Sequence, residues 1–132
     1  MDRLPLARTP VSATIMGMSR DVYVQDIPSH ARSVGDIPDD FRPRPIGARD
    51  HIVEVITRVV PGADFSDRTW GTIDGDGYSI EINIRDEASL RSFAFHVRDG
   101  TGQADHVIAA ILRELGLRAF DPESETGIFE EP

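Results

Sequence analysis

The most regular pattern of apolar and polar positions lies in the middle of the chain, over residues 70–98. Residues 78–84 (YSIEINI) alternate strictly between apolar and polar, and residues 91–97 (RSFAFHV) repeat that alternation. Side chains of a strand point alternately to the two faces of a sheet, so each run has one apolar and one polar face. The tight-turn sequence DGDG joins the first run to residues 70–73. The pattern predicts three consecutive antiparallel strands, which we call the meander.

The apolar faces of these strands coincide in one register. We expect Ile73 to pair with Tyr78, and Ile84 to pair with Arg91. A slip of one residue would move every apolar side chain into water, so a register that keeps the apolar side chains on one face is strongly favoured. The polar face then carries eight side chains: Trp70, Thr72, Ser79, Glu81, Asn83, Ser92, His96 and Arg98.

Two residues of the polar face have the chemistry of an acid–base pair. In the expected register Glu81 lies opposite Ala94 and diagonal to His96, within reach of a long side chain. A carboxylate that orients an imidazole is one component of general acid–base catalysis. The alternative interpretation is a polar cross-strand pair on a solvated sheet face.

The chain before the meander predicts one more strand and a long loop. Residues 21–27 (DVYVQDI) alternate, with Val22 and Val24 towards the core and Tyr23 on the opposite face. Residues 28–46 contain four prolines, which exclude a regular helix. A loop of this length in a small domain is usually functional or packed across a surface.

Two amphipathic helices are predicted, over residues 49–60 and 103–115, because apolar residues recur at helical spacing in both. Pro61-Gly62 and Gly116 are typical helix ends. Residues 63–69 are predicted as a linker, and residues 117–120 as a short last strand. The order β-loop-α-β-β-β-α-β predicts a two-layer α+β sandwich with a mainly antiparallel sheet and both helices packed on one face.

The ends of the chain differ from its middle. Residues 1–17 lack sustained apolar periodicity and are expected to form a disordered N-terminal tail. Residues 18–121 are expected to form a single α+β domain. Residues 122–132 form an acidic C-terminal tail, in which Ile128 and Phe129 are able to dock on an apolar surface.

Composition narrows the class of protein. The net charge is −9, which argues against binding to nucleic acid or to an anionic membrane and permits a basic protein partner. All 14 basic residues are arginine, as in proteins from GC-rich bacterial genomes, and cysteine is absent. No apolar run reaches the roughly 20 residues that span a bilayer. We expect a soluble, cytoplasmic protein.

Several motifs lack the spacing that their chemistry requires. The DGDG segment resembles the centre of a calcium-binding loop, but Asn83 stands where a bidentate glutamate belongs. The histidines show no metal-binding spacing, and we predict neither a metal nor a cofactor. Arg42, Arg44 and Arg49 precede or open the first helix and are candidates to bind an anion there, although nearby aspartates offset their charge.

The leading functional hypothesis is a small, non-enzymatic protein-binding module. Tryptophan and tyrosine beside arginine and carboxylate are typical of interface hot spots. We expect the binding residues to be Tyr23, Trp70, Thr72, Glu81, Asn83, His96 and Arg98. A bacterial immunity or inhibitor protein that neutralises a basic partner belongs to this class.

Three alternatives remain open from the sequence. One is a small enzyme or ligand-binding domain with Glu81, His96 and Arg98 in a pocket roofed by the loop 28–46. Another is a self-associating module that pairs through the polar face or through an edge strand. In the last, the loop or the C-terminal tail folds over Trp70 and Tyr23 and buries them in a second small core.

Overall fold

The computed structural model describes residues 19–132, so the tail predicted for residues 1–17 lies outside the described residues. A six-stranded sheet and two helices make up the fold. The helices are α1 (Arg49–Val59) and α2 (Gln103–Leu115). The strands are β1 (Ser19–Gln25), β2 (Asp64–Asp67), β3 (Trp70–Gly75), β4 (Tyr78–Asn83), β5 (Phe93–Asp99) and β6 (Arg118–Phe120).

The sheet is antiparallel throughout, with the strand order β2-β3-β4-β5-β1-β6. The predicted meander is therefore present as β3, β4 and β5. Both of its registers differ by two residues from the expected ones. Ile73 pairs with Ile80 rather than Tyr78, and Glu81 pairs with His96 rather than Ala94. An even shift leaves every side chain on its predicted face.

Both helices pack on the apolar face of the sheet, so the predicted two-layer α+β fold is confirmed. Each strand of the meander contributes buried residues to this core, among them Ile73, Ile80 and Phe95. Ile52 and Ile56 of α1 and Ile108 and Ile111 of α2 close it from the other side. Neither helix within residues 19–132 has the length and hydrophobicity needed to cross a bilayer.

Strand β2 replaces the linker predicted for residues 63–69. Phe65 is its one large apolar residue, which is too weak a pattern to predict a strand. Its ring lies over Gly71 of β3, where an added Cβ atom would come within 2.4 Å of the ring. The missing side chain at Gly71 therefore makes room for Phe65 and lets β2 pair at the sheet edge.

The long loop and the C-terminal tail meet beside β6 in a second, smaller apolar cluster. Ile27 and Ala31 from the loop side pack with Ile128 from the tail, and Ile37 and Phe120 border them. Backbone hydrogen bonds attach the tail to the outer edge of β6, from the Phe129 N–H to the Ala119 carbonyl and from the Asp121 N–H to the Gly127 carbonyl. The second core therefore covers Phe120.

The start of α2 depends on a buried carboxylate. The N-cap residue is Gly102, which has a left-handed conformation and no side chain to accept hydrogen bonds. Asp99, at the end of β5, accepts bonds from the backbone N–H and hydroxyl of Thr101, both 2.7 Å long, and from the Ala104 N–H at 2.9 Å. Asp99 thus joins the central strand to the helix.

Candidate functional site

The sheet face opposite the helices brings the predicted binding residues together. Tyr23 lies on β1, Trp70 and Thr72 on β3, Glu81 and Asn83 on β4, and His96 and Arg98 on β5. Alternation along each strand places all seven on this face. Asp21 of β1 joins them, because it pairs with His96. We call these eight residues the Trp70 face.

Trp70 lies across the sheet. Its indole stacks on the imidazole of His96, with ring centroids 5.9 Å apart and planes inclined by 26°. Trp70 belongs to β3 and His96 to β5, with β4 between them, so the two side chains meet above strands that lie roughly 10 Å apart. The indole is half-buried in this position. The two rings form one aromatic platform on an otherwise polar face.

Asp21 contacts the imidazole of His96 from β1, which lies beside β5 on the side away from β3. The Nδ1 atom of His96 hydrogen-bonds Oδ1 of Asp21. This contact places the ring proton on Nδ1, so Nε2 of the neutral ring is an acceptor for a partner or ligand. The side chains of His96 and Asp21 are 37% and 43% exposed, so the pair is open to solvent.

Asp21 also contacts Tyr23 on its own strand. The phenol of Tyr23 donates a hydrogen bond to Oδ2 of Asp21 at 3.4 Å. The negative charge of Asp21, followed by desolvation and this hydrogen bond, raises the pKa of Tyr23 above its usual value. Asp21 therefore connects the two aromatic side chains Tyr23 and His96 on neighbouring strands.

A spectrophotometric titration tests this arrangement. The chain has two tyrosines, so we expect the Tyr78→Phe variant to report on Tyr23 alone. Its phenol should ionise above the ordinary pKa of about 10, and an added Asp21→Asn change should lower that pKa, because the charge that opposes ionisation is gone. Circular dichroism at each pH would check that the fold persists. An unchanged Tyr23 pKa in the Asp21→Asn background would contradict the contact.

Glu81 and Arg98 lie beside this cluster. Glu81 is directly opposite His96 in the ladder, yet the imidazole bonds to Asp21 rather than to Glu81. Nη1 of Arg98 lies 4.0 Å from Oε1 of Glu81, and Arg98 is mostly exposed. An exposed pair at this distance contributes little to stability. Both charges are therefore available to a partner.

A shallow groove of about 270 Å³ lies over the stacked rings. Its lining comes from β1, β3, β4 and β5 alone, and includes Asp21, Trp70, Glu81, His96 and Arg98. The loop 28–46 contributes no lining residue, so the roof expected in the enzyme hypothesis is not formed by that loop. The groove is open to solvent, and thus resembles a docking surface more than an enclosed substrate pocket.

The arginines predicted to gather before α1 are separated in the structure. Arg49 is buried and donates to the Arg68 carbonyl at 2.7 Å and to Asp50 at 3.1 Å. Arg42 and Arg44 instead line a cavity together with the end of β1 and the turn between α2 and β6. Within residues 19–132 no three histidine or acidic side chains are grouped to hold a metal ion.

Asp21 is the site residue that the sequence did not indicate. Its alternation with Val22 and Tyr23 places it on the polar face, which is a local signal. Its contact with His96 depends on β1 lying next to β5, and these strands are more than 60 residues apart in the chain. Strand order is a long-range property that alternation does not report.

Comparison with known protein families, with curated proteins and with solved structures gave no match.

Proposed function

We propose that this chain is a non-enzymatic protein-binding module whose interface is the Trp70 face. The observation that carries the proposal is the platform of Trp70 and His96, an aromatic pair on a solvent-facing sheet with Asp21 bracing the imidazole. A half-buried tryptophan surrounded by charged side chains is typical of an interface hot spot. Tyr23, 40% exposed, extends the aromatic surface onto β1.

The charge of the chain favours a basic partner. The groove is lined by two carboxylates, Asp21 and Glu81, and by two arginines, Arg20 and Arg98, so the excess of negative charge is that of the whole chain, which carries −9. Complementary charge accelerates association and disfavours acidic competitors. A bacterial inhibitor of the immunity type, which captures a basic toxin in the cytoplasm, fits this combination of small size, acidity and an open aromatic face. The absence of lysine fits a GC-rich bacterial genome, and the absence of cysteine is compatible with a reducing compartment.

One observation favours a second candidate, a small enzyme or ligand-binding domain. The Asp21–His96 pair has the orientation of a general base, with Nε2 left open. Against it, the groove is shallow, His96 is accessible to water, and within residues 19–132 its hydrogen bond goes to Asp21 rather than to a serine or threonine hydroxyl. The binding module is therefore the stronger proposal.

The sheet edges are poorly suited to self-association. The edge strand β2 is short and carries Asp64 and Asp67, whose charges would repel a second copy. The other edge, β6, is already paired by the C-terminal tail through Ile128 and Phe129. The Trp70 face, which is open to solvent, is the other surface through which self-association was predicted.

The Trp70→Ala variant tests the interface. We expect it to lose at least about 2 kcal/mol of binding free energy, or roughly 30-fold in affinity, as hot-spot tryptophans do. Tagged wild type and variant would capture partners from the host lysate side by side, and the affinity of a captured partner would then be measured by calorimetry. Val34→Ala, which truncates an exposed apolar side chain away from the face, is the matched control.

A second variant separates binding from folding, because Trp70 is half-buried. Asn83 is exposed and lies opposite Trp70 in the ladder, so Asn83→Arg adds bulk and positive charge beside the platform without touching the core. We expect it to weaken binding of a basic partner while the unfolding free energy stays within about 0.5 kcal/mol of wild type. A partner that binds Trp70→Ala, Asn83→Arg and wild type equally would exclude this face as its site.

A further inference from the structure

A cavity of about 530 Å³ lies away from the Trp70 face, beneath the proline-rich loop. Its walls are the end of β1 with the following residues, the loop segment around Arg42 and Arg44, and the turn between α2 and β6. The volume falls within the range of about 300–1,000 Å³ that is typical of small-molecule sites. The cavity is therefore large enough for a small organic ligand.

The walls of this cavity are held in place by hydrogen bonds. Arg118 donates to the Pro28 carbonyl at 2.9 Å and to the Ala31 carbonyl at 2.6 Å, which ties β6 to the start of the loop. Arg91 donates to the Pro43 carbonyl at 2.8 Å, which anchors the opposite wall. A site with fixed walls loses little entropy when a ligand binds.

The lining of the cavity is positive in an acidic protein. Three arginines, Arg42, Arg44 and Arg118, face one carboxylate, that of Asp26. Arg42 makes a local hydrogen bond to the Phe41 carbonyl. Arg44 has no ion pair or hydrogen bond to any of residues 19–132 that the structure describes. The guanidinium groups of Arg42 and Arg44 therefore have N–H donors available for a negatively charged group.

The prolines that follow Arg42 and Arg44 explain why both arginines reach the same cavity. In Arg42-Pro-Arg-Pro45 each arginine precedes a proline, which restricts it to extended conformations. In an extended chain, side chains two residues apart lie on the same side, separated by roughly 7 Å. Arg42 and Arg44 are therefore presented together, while the Pro43 carbonyl is bonded by Arg91.

Apolar groups complete the lining, from Ile27, Pro28, Phe41 and Leu117. We propose that this cavity binds a small organic anion, in which a carboxylate or phosphate group meets Arg42 and Arg44 while an aromatic or aliphatic body packs against the apolar wall. The site is separate from the Trp70 face and does not depend on the proposed function.

Titration of the full chain with phenyl phosphate and with benzoate, in a phosphate-free buffer, tests this proposal. We expect saturable binding of at least one of them, with amide NMR shifts at Ser29 and Gly116 in the cavity wall. Inorganic phosphate, which lacks the apolar body, should bind at least about tenfold more weakly. Binding of neither organic probe, shifts confined to the Trp70 face, or equal affinity for inorganic phosphate would overturn the proposal.

Two arginine substitutions give the matched comparison. Arg44→Ser should weaken the better probe about tenfold, because a charged hydrogen-bond donor is lost. Arg58→Ser makes the same change in charge at an exposed position of α1 outside the cavity, and should alter the affinity less than twofold. Both side chains are exposed, so both variants should fold. Equal weakening by the two substitutions would show that the anion senses only overall charge and would refute a built site.

Discussion

Replacing Phe95 with alanine is expected to destabilise the fold by about 3–5 kcal/mol, the largest effect of any substitution considered for this protein. Phe95 is fully buried at the centre of the sheet, where it pairs with Val22 on one side and Ile82 on the other. Its ring also makes an edge-to-face contact with Phe93, with centroids 5.3 Å apart. Truncation removes these contacts and leaves a cavity that strands on both sides prevent from collapsing.

Urea unfolding, followed by circular dichroism, measures this effect. Phe95→Leu retains most of the buried volume and should cost less than half as much as alanine. Tyr23→Ala on the adjacent strand removes an aromatic ring of similar size from the open face, and should cost less than about 1 kcal/mol because Tyr23 is 40% exposed. Similar losses at Phe95 and Tyr23 would contradict the assignment of the two faces.

The Asp99→Ala substitution is expected to cost about 2–4 kcal/mol at neutral pH. The carboxylate accepts three hydrogen bonds from Thr101 and Ala104, and Asp99 is only 8% exposed. Alanine would leave the Ala104 N–H without its partner at a buried helix start, where an unsatisfied donor is costly. Asp74→Ala, at an exposed end of β3, removes the same charge and should cost less than about 0.5 kcal/mol.

The contribution of Asp99 should also depend on pH. Burial alone would raise its pKa, but the hydrogen bonds from Thr101, Ala104 and Gly102 outweigh burial and hold the pKa below its usual value. The folded state then binds fewer protons than the unfolded state, so this stabilisation is full above the unfolded pKa of about 4 and is lost as pH falls through the lower folded pKa.

Chemical unfolding at several pH values from about 7 down to 3 checks the sign. The difference in unfolding free energy between wild type and Asp99→Ala should shrink as the pH drops below about 4. The Asp74→Ala control is expected to differ little from wild type at neutral pH, so it has no comparable difference to lose. A difference that stays constant or grows on acidification would show that the charged form of Asp99 does not carry the stabilisation.

The faces of the meander were predictable because alternation is local. Ile80, Ile82 and Phe95 are apolar at every second position, and burying them determines which side of the sheet faces the helices. The exact pairing was less accessible, since a turn of two or of four residues leaves the parity unchanged. The observed β3–β4 turn is the shorter one, and a separate shift of two residues between β4 and β5 placed Glu81 directly opposite His96 without changing the face of either residue.

Features with weak local patterns were visible only in the structure. Strand β2 has a single large apolar residue, Phe65, and exists because Gly71 on the neighbouring strand leaves space for its ring. The second core forms because Ile27, Ala31 and Ile128, which are about 100 residues apart at the extremes, converge beside β6. Neither arrangement leaves a periodic signal in one stretch of chain.

By itself the sequence determined the two-layer α+β class, the helix positions and the membership of the polar face that contains Trp70, Glu81 and His96. Each of these follows from a period of two or of 3.6 residues and from burial of the apolar side. The tertiary structure alone decided that β1 lies beside β5 and that Arg118 closes a cavity with Arg42 and Arg44. Asp21 therefore braces His96 because of strand order, which arises from packing between distant segments rather than from any local preference.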